Sequence, residues 1–346
     1  MARCEISIEF DRSDRKYRGG ESVSGSVHVV AKQDLTYDSI TLIGAWHCHG
    51  YGLPVTRDFC GSLLDSAARL QTGERRSFPF SLEAPSEPLT YHGVELNIDQ
   101  YVRVELCFPT GPVQEFTEQY HLAPGVPPGS LKAEVNQPGR TDSDAGARQG
   151  WALAVVLAIC SAAGFLWFPI VGYVGFGILA LNVVHSLVFA AQLRSVVVTA
   201  SNTVVGAGGD YAVTVTCTPR MNFTLQGIWV TLRCLETSMN YDLSADDDSG
   251  STLSSISQEV HKSQKVYCEG AVLKAGQPLT TEVSGTVPQT EAYSFATGYG
   301  DVWEERVCSV RWELQVSVST RLFAGRTCTL PIRVVPPEFL EQVAKV

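Results

Sequence analysis

Charge is missing where its absence counts most. Across the 42 residues from Trp151 to Gln192 there is no Asp, Glu, Lys or Arg. The rest of the chain is acidic, with 36 Asp and Glu against 26 Lys and Arg and a net charge of −10. No polybasic run occurs, which argues against nucleic-acid binding and against a lysine-rich grip on anionic lipid. The ten cysteines include no Cys-x-x-Cys spacing, so the common zinc and redox motifs are absent. The opening MARCEISIEF is charged early and alternates apolar with polar, so it does not read as a signal peptide, and free cytosolic thiols are expected. A nucleophile elbow, a Gly-rich phosphate loop and a triad-like constellation are also missing. The paired carboxylates Glu304 and Glu305 sit in a polar loop with no evident partner. The chain is therefore read as a non-enzyme, with no cofactor, no metal and no small-molecule substrate.

The uncharged stretch sets the domain plan. A helix of that length would run about 63 Å, twice the roughly 30 Å of a bilayer core. Pro169 near its middle kinks or ends a helix. The expectation is a transmembrane helical hairpin over 151–193, with Trp151 to Gln192 in the lipid bilayer and aromatic residues (Phe165, Trp167, Phe168, Tyr173, Phe176) at its turn. Arg140, Arg148 and Arg194 flank it, so the positive-inside rule puts both ends in the cytoplasm. A re-entrant loop and a buried core hairpin are the alternatives. Inside the stretch Asn182 and His185 lie three apart on one helix face, where they are candidates for intramembrane packing against a partner helix. Gly172, Gly175 and Gly177 suit close helix contact.

The flanking halves read as β. Ile6, Ile8 and Phe10 alternate with polar residues, as do Val23 to Val29, Ile40 to Trp46, Phe78 to Leu82, and Asp99 to Phe108. After the uncharged stretch, Val204 to Thr216 repeats the logic of residues 17 to 30. Gly227 to Leu235 parallels Ser39 to His47, and Arg311 to Val318 parallels Gln100 to Leu106. An internal repeat argues for two similar lobes. Between them Pro124 to Gly150 is rich in Pro, Gly, Ser and Asp and reads as a flexible tether.

These residues resemble a known family. Tyr17-x-x-Gly20-Glu21-x-Val23-x-Gly25-x-Val27-x-Val29 is similar to the opening of an arrestin-type domain. Gly73, Phe78-x-Phe80-x-Leu82, Pro85 and Ile98-x-x-Tyr101 continue it, and Leu330-Pro331-Ile332-x-Val334 resembles the closing strand of the second arrestin domain. The resemblance implies two arrestin-like, immunoglobulin-like β-sandwich lobes, here at 1–123 and 194–336, followed by a tail at 337–346. It also implies an adaptor or scaffold that binds cytosolic segments of membrane proteins, in trafficking or signalling. With the hairpin, the expected placement is a two-pass integral membrane protein with both lobes cytoplasmic. The second reading is a structural subunit of a membrane complex packed through that hairpin.

Four local signals carry competing readings. His47 and His49 share one strand face and Cys48 takes the other, so with Cys60 they fall short of the four converging ligands of structural zinc. Asp246 to Asp248 lie in a Ser/Asp-rich insertion without the spacing of a calcium loop. Asn222-Phe223-Thr224 is a glycosylation sequon with no meaning in a cytosolic lobe. Pro336-Pro337-Glu338-Phe339 nearly matches the Pro-Pro-x-Tyr by which arrestin-related adaptors recruit ubiquitin ligases, but the phenolic hydroxyl is missing.

Overall fold

The computed structural model describes residues 3–52, 54–135, 137–142, 193–242, 252–299, 303–320 and 323–345. Period-two alternation becomes strand wherever one face meets a core. In the first lobe β1 (Cys4–Phe10), β3 (Ser22–Ala31) and β6 (Arg75–Glu83) form one antiparallel sheet. The second sheet runs in the order β2 (Lys16–Arg18), β9 (Gln114–Ala123), β8 (Leu96–Cys107), β4 (Leu35–Gly50), β5 (Val55–Leu70), with β7 (Tyr91–His92) paired to β8. Between the sheets lie Ile6, Ile8, Val23, Val27 and Val29 from one and Tyr37, Ile40, Leu42, Val102, Val104 and Leu106 from the other. Each fully buried aliphatic side chain contributes roughly 1.5–3 kcal/mol of transfer free energy.

The two glycines of the opening motif have separate physical reasons. Gly20 turns the chain between β2 and β3 with φ +82°, where a Cβ is strained. Gly25 faces Phe10 across β1, and a Cβ there would overlap the Glu9 carbonyl and touch the Phe80 ring.

The second lobe repeats this plan. Its smaller sheet is β10 (Gly139–Asp142), β11 (Leu193–Ala200), β13 (Asp210–Pro219), β17 (Leu279–Thr286). Its larger sheet runs β12 (Val204–Gly206), β20 (Phe323–Val335), β19 (Trp303–Thr320), β14 (Phe223–Asp242), β15 (Thr252–Tyr267), with β16 (Val272–Leu273) on β14 and β18 (Phe295–Tyr299) on β19. β2 joins β9 in parallel, and β12 joins β20 in parallel. Strand for strand, the larger sheets of the two lobes share one order. A small third cluster holds Leu131, Val204, Val335 and Phe339.

Two expectations are corrected here. Among the described residues the fold is mostly β, and its helices are α1 (Leu131–Glu134) and α2 (Pro337–Ala344), four and eight residues long. No described helix is long and apolar enough to cross a membrane, since a span takes about 20 residues. The fold class with a transmembrane α-hairpin and the two-pass placement are therefore withdrawn. The stretch that motivated them, Trp151 to Gln192, lies outside the described residues. The segment read as a tether, 124–150, carries α1 and β10, and β10 extends the smaller sheet by pairing with β11. Elements of four residues are too short to show a period.

Candidate functional site

The lobes meet along a seam with its own chemistry. On β14, residues Ile228, Val230, Leu232, Cys234, Glu236 and Ser238 are all buried and follow one another at every second position. A carboxylate and a hydroxyl thus replace the aliphatic residues that the alternation calls for. The Glu236 side chain reaches the other lobe. It accepts hydrogen bonds from Tyr91 Oη at 2.6 Å, from the Glu95 amide at 2.7 Å and from the Val94 amide at 3.3 Å. Burial, and next the bond to this carboxylate, push the Tyr91 hydroxyl well above the usual phenol range.

One step along the seam the Cys48 and Cys308 thiols hydrogen bond to each other. Both are buried, Cys48 in β4 of the first lobe and Cys308 in β19 of the second. Trp46, Cys48, Val55, Leu96 and Ile98 join the second lobe's core rather than their own. A third contact is ionic. Arg333 donates to Glu134 at 2.6 Å and to Glu87 at 2.7 Å. Burial raises the Glu87 carboxyl above its ordinary value, with Arg333 opposing that rise. Glu87 and Arg333 line a cleft of about 730 Å³, together with Trp46, Val310 and Arg311.

A second feature is the outer edge of the first lobe. β5 pairs with β4 on one side and, among the described residues, with no strand on the other. Its centre, Phe59 to Leu64, has no charged residue. Between two register shifts the ladder is regular, with Cys60, Gly61, Ser62 and Leu63 opposite Gly44, Ile43, Leu42 and Thr41. Leu63 is 62% exposed. The equivalent edge in the second lobe, β15, carries Glu259, His261, Lys262 and Lys265, the charged protection that keeps exposed edges from pairing. β5 lacks that protection at its centre.

The residues singled out from sequence fall as follows. Asn182, His185, Gly172, Gly175, Gly177 and Asp246 to Asp248 lie outside the described residues. His47 and His49 do share a face, with rings stacked at 5.2 Å. His47 bonds Thr56 at 2.8 Å, while His49 and His92 both bond the Asp99 carboxylate, at 2.7 and 3.0 Å. Burial acts to raise Asp99, but these two bonds hold its carboxyl below the ordinary value. Cys48 points away from them into the seam. Among the described residues no group of three or more His, Cys, Asp or Glu is arranged to hold a metal ion. Phe339 of the Pro-Pro-Glu-Phe run is fully buried, so that run starts α2 and does not present a groove-binding motif. The seam residues Tyr91, Glu236, Cys308 and Arg333 were not found from sequence. Glu236 had a signal, as a carboxylate at an inward position of GIWVTLRCLETS.

No family model matches this chain, and no curated protein matches it. Among solved structures it is similar to the crystal structure of Spo0M, sporulation control protein, from Bacillus subtilis. The identity is 11% and the TM-score 0.32, covering 75% of this chain and 91% of that one. A likeness at that level carries no argument about function, and the architecture described above stands on its own strand order.

Proposed function

We propose that the protein is an adaptor or scaffold that holds an extended segment of another protein against the β5 edge, with tails of membrane proteins as the partner class that the arrestin resemblance implies. The observation that supports this is the uncharged, regular centre of β5 with Leu63 exposed beside it. A partner strand that adds there gains main-chain hydrogen bonds, and Leu63 offers an apolar contact that gives side-chain preference. Asp58, bonded to Arg103, and Asp65, bonded to Tyr37 and Arg76, bound the uncharged centre on its two sides. The duplicated lobe, whose equivalent edge is guarded by lysine, serves as support.

The test is a panel of fluorescent extended peptides titrated against the protein and its Leu63→Lys variant. The substitution is on the surface and should leave the unfolding free energy within about 0.5 kcal/mol of the parent's. Peptides that bind the parent should lose at least tenfold in affinity. Equal affinity for parent and variant would remove β5 from the account.

A further inference from the structure

We infer that Cys48 and Cys308 form a reversible oxidation site, in which a hydroperoxide converts the thiol pair into a disulfide that locks the two lobes together. This inference does not depend on the β5 reading. It stands first on placement. The two thiols come from different lobes, hydrogen bond across the seam, and belong to one apolar cluster. The Glu236 contacts bring β14 to the β7–β8 corner, and Cys308 lies opposite Ser238 on that same β14. Cys48 lies opposite Ile98, which also pairs with Tyr91. One continuous set of contacts, from β19 through β14 and Tyr91 to β8 and β4, therefore holds the two cysteine strands near one another.

It stands second on access and on polar surroundings. Trp46 and Val310, each two residues from a cysteine and so on the same strand face, line the open cleft between the lobes. Both cysteines are buried behind that wall, and the cleft is where a molecule as small as hydrogen peroxide would enter. The hydroxyl of Ser238, cross-strand from Cys308, is buried and has no hydrogen-bond partner among the described residues, which leaves a donor about one strand spacing from the sulfur. The bond from Cys48 holds the Cys308 thiol below the ordinary value, and the same bond, with burial, pushes Cys48 up.

The chemistry balances as follows. Cys308 gives up its proton, and the thiolate attacks the peroxide O–O bond, forming a sulfenic acid and releasing an alkoxide or hydroxide that takes up that proton. The Cys48 sulfur then attacks the sulfenic sulfur, the S–S bond forms, and the hydroxyl leaves with the Cys48 proton as water. Two thiols lose two electrons in all, and one hydroperoxide is reduced to an alcohol or water. A thiol reductant reverses the step.

The experiment treats the reduced full-length chain with increasing hydrogen peroxide, blocks free thiols in denaturant, digests without reduction and reads the peptides by mass spectrometry. The expected result is a linked Cys48–Cys308 peptide that forms before the half-buried Cys60, Cys107 and Cys268 are modified and that disappears with a thiol reductant. The oxidised chain should also melt roughly 5 °C or more above the reduced chain, a shift that Cys308→Ala loses. Finding both cysteines still free after Cys60, Cys107 and Cys268 have reacted overturns the inference. So does finding either one paired elsewhere or carried on to a sulfinic acid. The linked peptide is read on the natural sequence, so a variant that fails to fold does not blur the result.

Discussion

Tyr37, Asp65 and Arg76 show how much a single hydroxyl can hold. Tyr37 is fully buried, donates to Asp65 Oδ2 at 2.5 Å and accepts from Arg76 at 3.2 Å. Burial, and then the bond to Asp65, push the Tyr37 hydroxyl up to about 12. The same bond is the main reason the Asp65 carboxyl sits below its ordinary value. An acid whose folded pKa lies below its unfolded one adds stability that is complete above the unfolded value, near 3.9, and is lost as pH falls through the folded value. Tyr37→Phe removes the donor, so the Asp65 pKa should climb back toward the ordinary range. Urea unfolding over a pH series should show the variant weaker than the parent at neutral pH. The gap should close as pH falls below about 4. A gap that stays constant through the acid limb would mean that packing, and not the Asp65 bond, carries the effect.

At the scale of the element, the last helix explains why a near-motif is not a motif. Pro336 precedes α2 and Pro337 opens it, where a missing N–H costs nothing. Phe339 then enters the small cluster with Leu131, Val204 and Val335, fully buried. Restoring the tyrosine of Pro-Pro-x-Tyr with Phe339→Tyr puts a hydroxyl into an apolar site, at roughly 1–3 kcal/mol if it finds no partner. Thermal unfolding should show a lower midpoint, and binding to a Pro-Pro-x-Tyr-reading domain should not rise. A stable variant that gains such binding would show that α2 readily leaves its site. The same helix marks a limit of sequence reading. Val23, Val27 and Val29 announced their strand by alternation, and Gly20 with Glu21 their turn, because local chemistry sets both. The burial of Phe339 depends on Leu131, two hundred residues earlier, and no local pattern records that. The uncharged stretch Trp151 to Gln192 was read from its composition, its length and Pro169, and none of these says what an apolar run packs against.

The whole molecule is two lobes of one strand order held by a mixed seam. Glu236 accepts three bonds from the first lobe, and Arg333 bridges two carboxylates. Glu236→Ala would leave the Tyr91 hydroxyl and two amides without their acceptor, at about 1–3 kcal/mol for each group that stays buried. The expected outcome is a melting transition that broadens or splits, with a radius of gyration in small-angle scattering larger than the parent's as the lobes separate. An unchanged radius and midpoint would show that the apolar seam around Trp46 and Ile98 suffices without the carboxylate. Of this seam the sequence held one signal, the inward Glu236, which was not read as a contact, because the facing Tyr91 comes from a two-residue strand with no pattern of its own. The edge of β5 was equally silent, since a strand's place in its sheet is a property of topology and not of its residues.

The claim that most needs a direct measurement is that partners add to β5. Amide hydrogen exchange, read by mass spectrometry with and without a saturating bound peptide, reports where main-chain bonds form. The account predicts new protection over Phe59 to Leu64 and little change over β15. Protection confined to β15 or to the interlobe cleft, with β5 unchanged, would contradict it.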